Sequence, residues 1–247
     1  MTENSGKRAP VALVVGAGDA LGSAVARRFA KEGYNVCVAR RSPEKLEPLV
    51  EEIRALGGTA RGFGTDARKE DEVVDLFATI EREEGPVEAV VFNVGPNVEF
   101  AIRETDARKY FKVWELACFA GFLVGREAAK VMVPRGRGTI LFSGATASIR
   151  GKSGFAAFSG GKHGLRALAQ SMAKELGPQS IHVAHVVIDG SIDTEFIKKL
   201  FPERYALKSV DGILNPDDIA ENYWHLHKQP RTAWTFEMDV RPYMEAW

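Results

Sequence analysis

The chain is poor in cysteine, carries no net charge and has no long apolar run, and each absence narrows what it can be. Cys37 and Cys118 are the only cysteines among its 247 residues. Each sits in an apolar segment without metal-type spacing, which points to buried reduced thiols and a reducing compartment. Lysine plus arginine and aspartate plus glutamate stand at 33 each, so no net field draws the chain to nucleic acid or to an anionic membrane surface. No uninterrupted apolar stretch approaches the ~18 residues of a membrane span, and Met1 to Arg8 lack the apolar centre of a signal peptide. These features predict a cytoplasmic protein that takes a small ligand, with residues 1–9 as a disordered tail and 10–247 as a single domain. No metal is expected. His182 and His185 have opposite parity on a strand and face opposite sides, and His225 and His227 lack a third ligand.

What is present is a regular alternation of short apolar runs and helical patterns. Val11 to Val15 runs into glycines, and Leu21, Val25 and Phe29 then share one helical face up to Gly33. Strands follow at Val36–Ala39, Ala60–Thr65, Ala89–Asn93, Thr139–Ser143, Ile181–Val187 and Thr235–Val240. Helices are expected over Pro43–Leu56, Glu70–Glu83, Asp106–Val133 and Gly154–Leu176. Unbroken apolar strands joined by helices imply a parallel sheet covered on both faces, because parallel neighbours need right-handed crossovers. The predicted class is α/β, a Rossmann-type doubly wound three-layer sandwich with about seven strands, mostly parallel.

Gly16-Ala17-Gly18-Asp19-Ala20-Leu21-Gly22 follows the first strand and opens the first helix, where free amides and the helix dipole favour a pyrophosphate. Its third glycine comes one residue late for G-x-G-x-x-G, so on its own the segment reads either as a dinucleotide turn or as a tight structural one. Arg40-Arg41 closes the second strand. Two guanidinium forks there suit a 2'-phosphate, whereas without a nucleotide they are an ordinary basic loop.

Taken together, these glycines, Asn93-Val94-Gly95 after the fourth strand and the Phe158/Lys162 pair resemble the classical short-chain dehydrogenase/reductase family over essentially the whole chain. The family's glycine signature, T-G-x-x-x-G-x-G, falls on Val15, Gly16, Ala20 and Gly22. The alanine methyl stands where backbone should approach the pyrophosphate, and Gly18 restores room. The resemblance implies an adenine contact at Asp66-Ala67 and a nicotinamide-side loop at Asp189–Thr194, in which Gly190, Ile192 and Thr194 match and Asp189 replaces proline. An NAD-preferring member would carry an acid where Arg40 stands, so NADP(H) is expected in preference to NAD(H), with Asp19 opposing the phosphate.

The resemblance also implies a tetrad in which tyrosine gives a proton to a carbonyl, serine holds the oxygen, lysine lowers the tyrosine pKa and binds ribose, and asparagine maintains a water relay. Those places hold Phe158, Ala145, Lys162 and Ala117, so only the lysine survives. The chain thus looks like a divergent subgroup with phenylalanine for tyrosine. Ser143, Thr146 and Ser148 surround the vacant serine place, and Tyr205 lies in a presumed lid around 193–215. Pro96, Ile149, Phe155, Phe196, Ile197, Leu200 and Phe201 are expected to wall a pocket for an apolar molecule. Ala156, Ala157, Gly160, Gly161 and Gly164 leave one helix face bare for another helix, and the family commonly forms homodimers or homotetramers through this region. Three functions fit: an oxidoreductase that does without a strong protein acid, a nucleotide-binding pseudoenzyme, or a lyase or isomerase that uses Lys162 as a base or Schiff-base amine.

Overall fold

The computed structural model describes residues 8–246, so residues 1–7 of the expected tail lie outside the described residues. Strands β1 (Val11–Val15), β2 (Asn35–Arg40), β3 (Thr59–Gly64), β4 (Val87–Phe92), β5 (Gly138–Ser143), β6 (Ile181–Ile188) and β7 (Glu237–Val240) form one seven-stranded sheet in the order β3-β2-β1-β4-β5-β6-β7. Every neighbouring pair is parallel. The helices are α1 (Leu21–Lys31), α2 (Glu47–Ala55), α3 (Glu70–Glu83), α4 (Ala107–Trp114), α5 (Ala120–Met132), α6 (Ala156–Leu176), α7 (Glu195–Leu200), α8 (Pro202–Ala206) and α9 (Pro216–Lys228).

β1 shows why the apolar runs carry no alternation. Its side chains point to both faces in turn, and both faces are covered. Val11, Leu13 and Val15 enter a core with α3, α5 and α6, while Ala12 and Val14 enter a second core with α1, α2 and α9. This is a three-layer Rossmann-type fold. The order reverses at β1, whose neighbours are β2 and β4, so a crevice opens beyond the carboxyl ends of β1 and β4.

Several elements differ from the sequence expectation. The segment expected as one helix over 106–133 is α4 and α5 joined by a wider π-type turn at Glu115–Phe119, a local widening that often marks functional positions. The first turn after Pro43 is 3-10, and α2 begins at Glu47. α9 was not expected, because it buries only Ile219, Ala220, Tyr223 and Leu226 among polar residues. Its start is nonetheless marked, since Asn215 accepts from the Asp217 amide at 3.0 Å and Pro216 occupies the first helical turn. The bare face of α6 is covered within the chain: a Cβ on Gly160 would strike the Tyr110 hydroxyl, and one on Gly161 would strike Ala117.

His185 is buried and His227 half-buried, both as neutral rings. His227 lies 2.6 Å from the Tyr34 hydroxyl and 3.0 Å from Thr139 Oγ1, and His185 Nδ1 lies 3.0 Å from Glu237 Oε2. Burial pushes both down to about 4 from the ordinary 6.5. Between these values the unfolded chain binds protons that the folded chain excludes, so stability falls as pH drops from about 6.5 to about 4. The loss is on the order of 3 kcal/mol per ring. Urea unfolding at pH 7.5, 6 and 5 should show this decline, and His227→Gln should flatten it.

Candidate functional site

The loops that leave β1 and β4 are locked together at the reversal of strand order. The Asn93 amide donates to Val15 O at 2.8 Å, and Asn93 Nδ2 donates to Gly16 O at 3.1 Å. Gly16 has φ +91°, and a Cβ there would lie 2.6 Å from Asn93 O, so both conformation and space demand glycine. Gly22 packs equally hard, 2.5 Å from Gly16 O by the same measure, whereas a Cβ on Gly18 would meet nothing within 4 Å. Gly16 and Gly22 thus build the turn, and Gly18 faces open space. No side chain caps α1 and its first turn holds no acid, so the positive helix end stays available.

A groove of about 350 Å³ runs from this turn, lined by Gly16, Gly18, Arg40, Arg41, Asp66, Ala67, Asn93 and Gly95. Ser42, Lys45 and Leu116 also line it, and sequence reasoning missed them. Lys45 extends the basic run of Arg40 and Arg41, a signal that was readable; Leu116 arrives from the π-type turn, which was not. Asp19 is fully exposed at the lip, 3.4 Å from Arg40 Nη1. Ala20 precedes α1, and Leu21 and Gly22 are buried in its first turn rather than lining the groove. The Asp66 carboxylate is engaged by Arg68 through Nε at 2.9 Å and Nη2 at 2.5 Å, which holds it below the usual carboxylate range.

The Lys162 ammonium is buried at the ends of β4 and β5, donating to Ser143 O at 2.7 Å and more weakly to Val94 O at 3.4 Å. Burial pushes it down to about 8. A Cβ on Gly95 would lie 3.0 Å from its Nζ, so the glycine makes room for the amine. Phe158 lies one turn before it and packs in an apolar cluster with Val113, Ala147 and Ala157, with Ala145 and Phe155 at the edge. Ala117 is buried against Gly161.

The neighbouring hydroxyls do not fill the vacant serine place. Ser143 Oγ shares a 2.6 Å bond with Tyr223, Thr146 donates to Asp189 at 2.6 Å, and buried Ser148 accepts from the Ala145 amide at 3.1 Å. Tyr205 lies between Lys198 and Lys208, each within 6 Å of its ring, and does not line the adjoining cavity.

That second cavity, of about 500 Å³, lies beneath α7 and α8. Of the expected apolar wall, Phe155, Ile197 and Phe201 line it, whereas Pro96, Ile149, Phe196 and Leu200 do not. Ser159, Gly190 and Ser191 contribute, and so do residues that sequence reasoning missed: Arg150, Lys152, Arg204 and the C-terminal Glu245 and Ala246. Isolated charges in loops carry no periodic signal. Ile192 bridges to Leu214, and the Thr194 hydroxyl caps α7 by accepting from the Ile197 amide at 3.1 Å.

Residues 10–205 match the short chain dehydrogenase family. The chain belongs to that family. A solved short-chain dehydrogenase from Rhodopseudomonas palustris is 48% identical, with a TM-score of 0.82 over 95% of this chain and 99% of the other. A metagenomic short-chain oxidoreductase solved in complex with NADP is 26% identical, with a TM-score of 0.82 over 96% and 99% of the two chains. The 3-oxoacyl-(acyl-carrier-protein) reductase of Bos taurus is 30% identical over 193 residues, 78% of this chain and 80% of the relative. Short-chain dehydrogenases are oxidoreductases of Rossmann-type fold that bind a nicotinamide cofactor. Among the described residues, no helix of this short-chain dehydrogenase is long and apolar enough to cross a membrane.

The two exchangeable-looking glycines of the turn should behave oppositely. Gly16→Ala is expected to lose about 1–3 kcal/mol, through its left-handed backbone and the clash with Asn93. Gly18→Ala should unfold in urea within about 0.5 kcal/mol of the parent.

Proposed function

We propose that this short-chain dehydrogenase is an NADP(H)-binding oxidoreductase acting on a small molecule with an apolar body, in a subgroup where phenylalanine replaces the proton-donating tyrosine. The observation that carries this reading is the basic edge of the groove. Arg40, Arg41 and Lys45 gather there, while of the two nearby acids Asp66 is engaged by Arg68 and Asp19 is exposed and faces Arg40. Guanidinium forks and an ammonium suit a 2'-phosphate, and the end of β2, where an acid would hold free ribose hydroxyls, carries Arg40. The solved relative that holds NADP supports the same preference.

The groove fits a dinucleotide on its own geometry. Gly18 leaves open space beside an uncapped helix start, and Gly95 clears the backbone next to Lys162. When bound, a reduced nicotinamide cofactor supplies a hydride. The protein contributes position and dryness. Lys162, held by the carbonyls at the ends of β4 and β5, has a further N–H for ribose hydroxyls, with Asn93 and Gly95 beside it. Gly190 sits at φ +149° against Pro242, and with Ile192 and Thr194 it shapes the nicotinamide side. Phe158 has no proton to give and packs among apolar neighbours, so the proton must come from solvent at the open side of the site. Losing an acid of this kind typically costs about 10²–10⁴ in rate, which favours hydride acceptors such as activated alkenes, whose carbon is protonated separately.

A second reading, a nucleotide-binding pseudoenzyme, is favoured by the close packing of Phe158 with Ala147 and Ala157. A Schiff-base role for Lys162 is not, because its ammonium donates to two backbone carbonyls and an imine nitrogen could not keep both bonds.

Titration with NADPH and NADH, followed by cofactor fluorescence, tests the proposal. NADPH should bind at least about tenfold tighter, and Arg40→Ala/Arg41→Ala should erase that margin while sparing NADH. Lys162→Ala should weaken both. Failure of both nucleotides to bind would overturn either reading. Consumption of NADPH with apolar enones would mark the oxidoreductase, and tight binding without consumption would favour the pseudoenzyme.

A further inference from the structure

The second cavity holds charged groups that the nucleotide groove does not use, and one of them is fixed in place from behind. Asp189 is only 1% exposed, yet it is a carboxylate. It accepts from Thr146 at 2.6 Å and from Arg150 Nη2 at 2.9 and 2.7 Å, and it lies 3.7 Å from Arg241. Arg241 has its own carboxylate in Asp239, so Asp189 serves chiefly as the partner of Arg150. Arg150 is therefore a held cation at the cavity wall, its geometry set by Asp189 before any ligand arrives.

We infer that Arg150 anchors a carboxylate subsite in this cavity, so that the substrate is a small monoanion with an apolar body. This rests on reading the cavity as the substrate site of the oxidoreductase. Among the described residues, the hydrogen bonds of Arg150 run through Nη2 alone, which leaves Nη1 and Nε to a ligand. Lys152 and Arg204 share the lining. Lys152 rests over the Phe155 ring, and Arg204 makes only a long 3.4 Å contact with the Ser191 hydroxyl, so neither is spent on a carboxylate.

Glu99 and Glu245 also line the cavity. Counting Asp189 behind Arg150, three carboxylates stand against three cations, which disfavours a polyanion; a single carboxylate is held by the hydrogen bonds that Arg150 Nη1 and Nε still offer rather than by net charge. The Ser159 hydroxyl, held only by a 3.5 Å contact with Arg150 O, faces the same space and offers a second polar contact. Phe155, Ile197 and Phe201 supply the apolar wall. A guanidinium positioned in advance binds a carboxylate at lower entropic cost than a free one, which is what the buried Asp189 provides.

Calorimetric titration of the full chain with 4-phenylbutyrate and 4-phenylbutanamide, with and without NADPH, tests this. The acid is expected to bind at least about tenfold tighter than its neutral amide, and Arg150→Gln should remove that preference. If circular dichroism shows Arg150→Gln unfolded, the exposed pair Lys152→Gln/Arg204→Gln carries the test, with the acid weakened about threefold or more and the amide unchanged. Equal binding of acid and amide, no binding of either, or a full preference in the folded variants would overturn the subsite. Parallel NADPH titration separates the readings: selective acid binding without NADPH binding sinks the redox proposal alone, and NADPH binding without acid preference sinks the subsite alone.

Discussion

A parallel sheet must release every strand at the same edge, and the site of this protein depends on that constraint. Gly16, Arg40, Asn93, Ser143 and Asp189 are scattered over more than half of the chain, yet each stands at or just beyond the carboxyl end of a strand. The reversal of strand order at β1 separates the crossovers above and below the sheet, which opens the crevice there. The bonds from Asn93 to Val15 and Gly16 then set the spacing of the two central loops. Each remaining feature of the groove is placed relative to that junction.

Desolvation decides what the catalytic region can do. Lys162 keeps the position of its family counterpart, but its neighbours are carbonyls and aromatic carbon, and burial lowers its pKa to about 8. Every hydroxyl near the vacant serine place is already engaged by Tyr223, Asp189 or a backbone amide. Polar groups gather instead behind the second cavity, where Asp189 holds Thr146, Arg150 and Arg241 around one buried carboxylate. A proline in place of Asp189 could organise none of these groups, since it offers no side-chain acceptor.

Much of this was legible in the sequence. The apolar runs gave the five inner strands within one or two residues, because a strand buried on both faces has no alternative to continuous apolar residues. The half-exposed edge strands β3 and β7 were placed by the regular alternation of elements. The groove-lining glycines, Arg40, Arg41 and Asn93 were legible because local geometry alone assigns them to strand ends. α9 escaped notice, since a helix that buries only four side chains in thirteen residues carries a weak pattern. The bare face of α6 was read as a surface for another helix, and α4 with the following turn of the same chain lies on it. Small residues specify close packing without specifying the partner.

By itself, the sequence determined the layer architecture, the succession of strands, the glycine turn and the residue types at Ala117, Ala145, Phe158 and Lys162. These follow from periodicity, backbone freedom and residue identity, which are local properties. Only the tertiary structure decided which hydroxyls remain free, that Asp66 is engaged by Arg68, that Phe158 closes an apolar cluster, and that Arg150 is held by a buried acid 39 residues away. Hydrogen-bond partners and desolvation depend on distances across the fold, and no spacing along the chain encodes them.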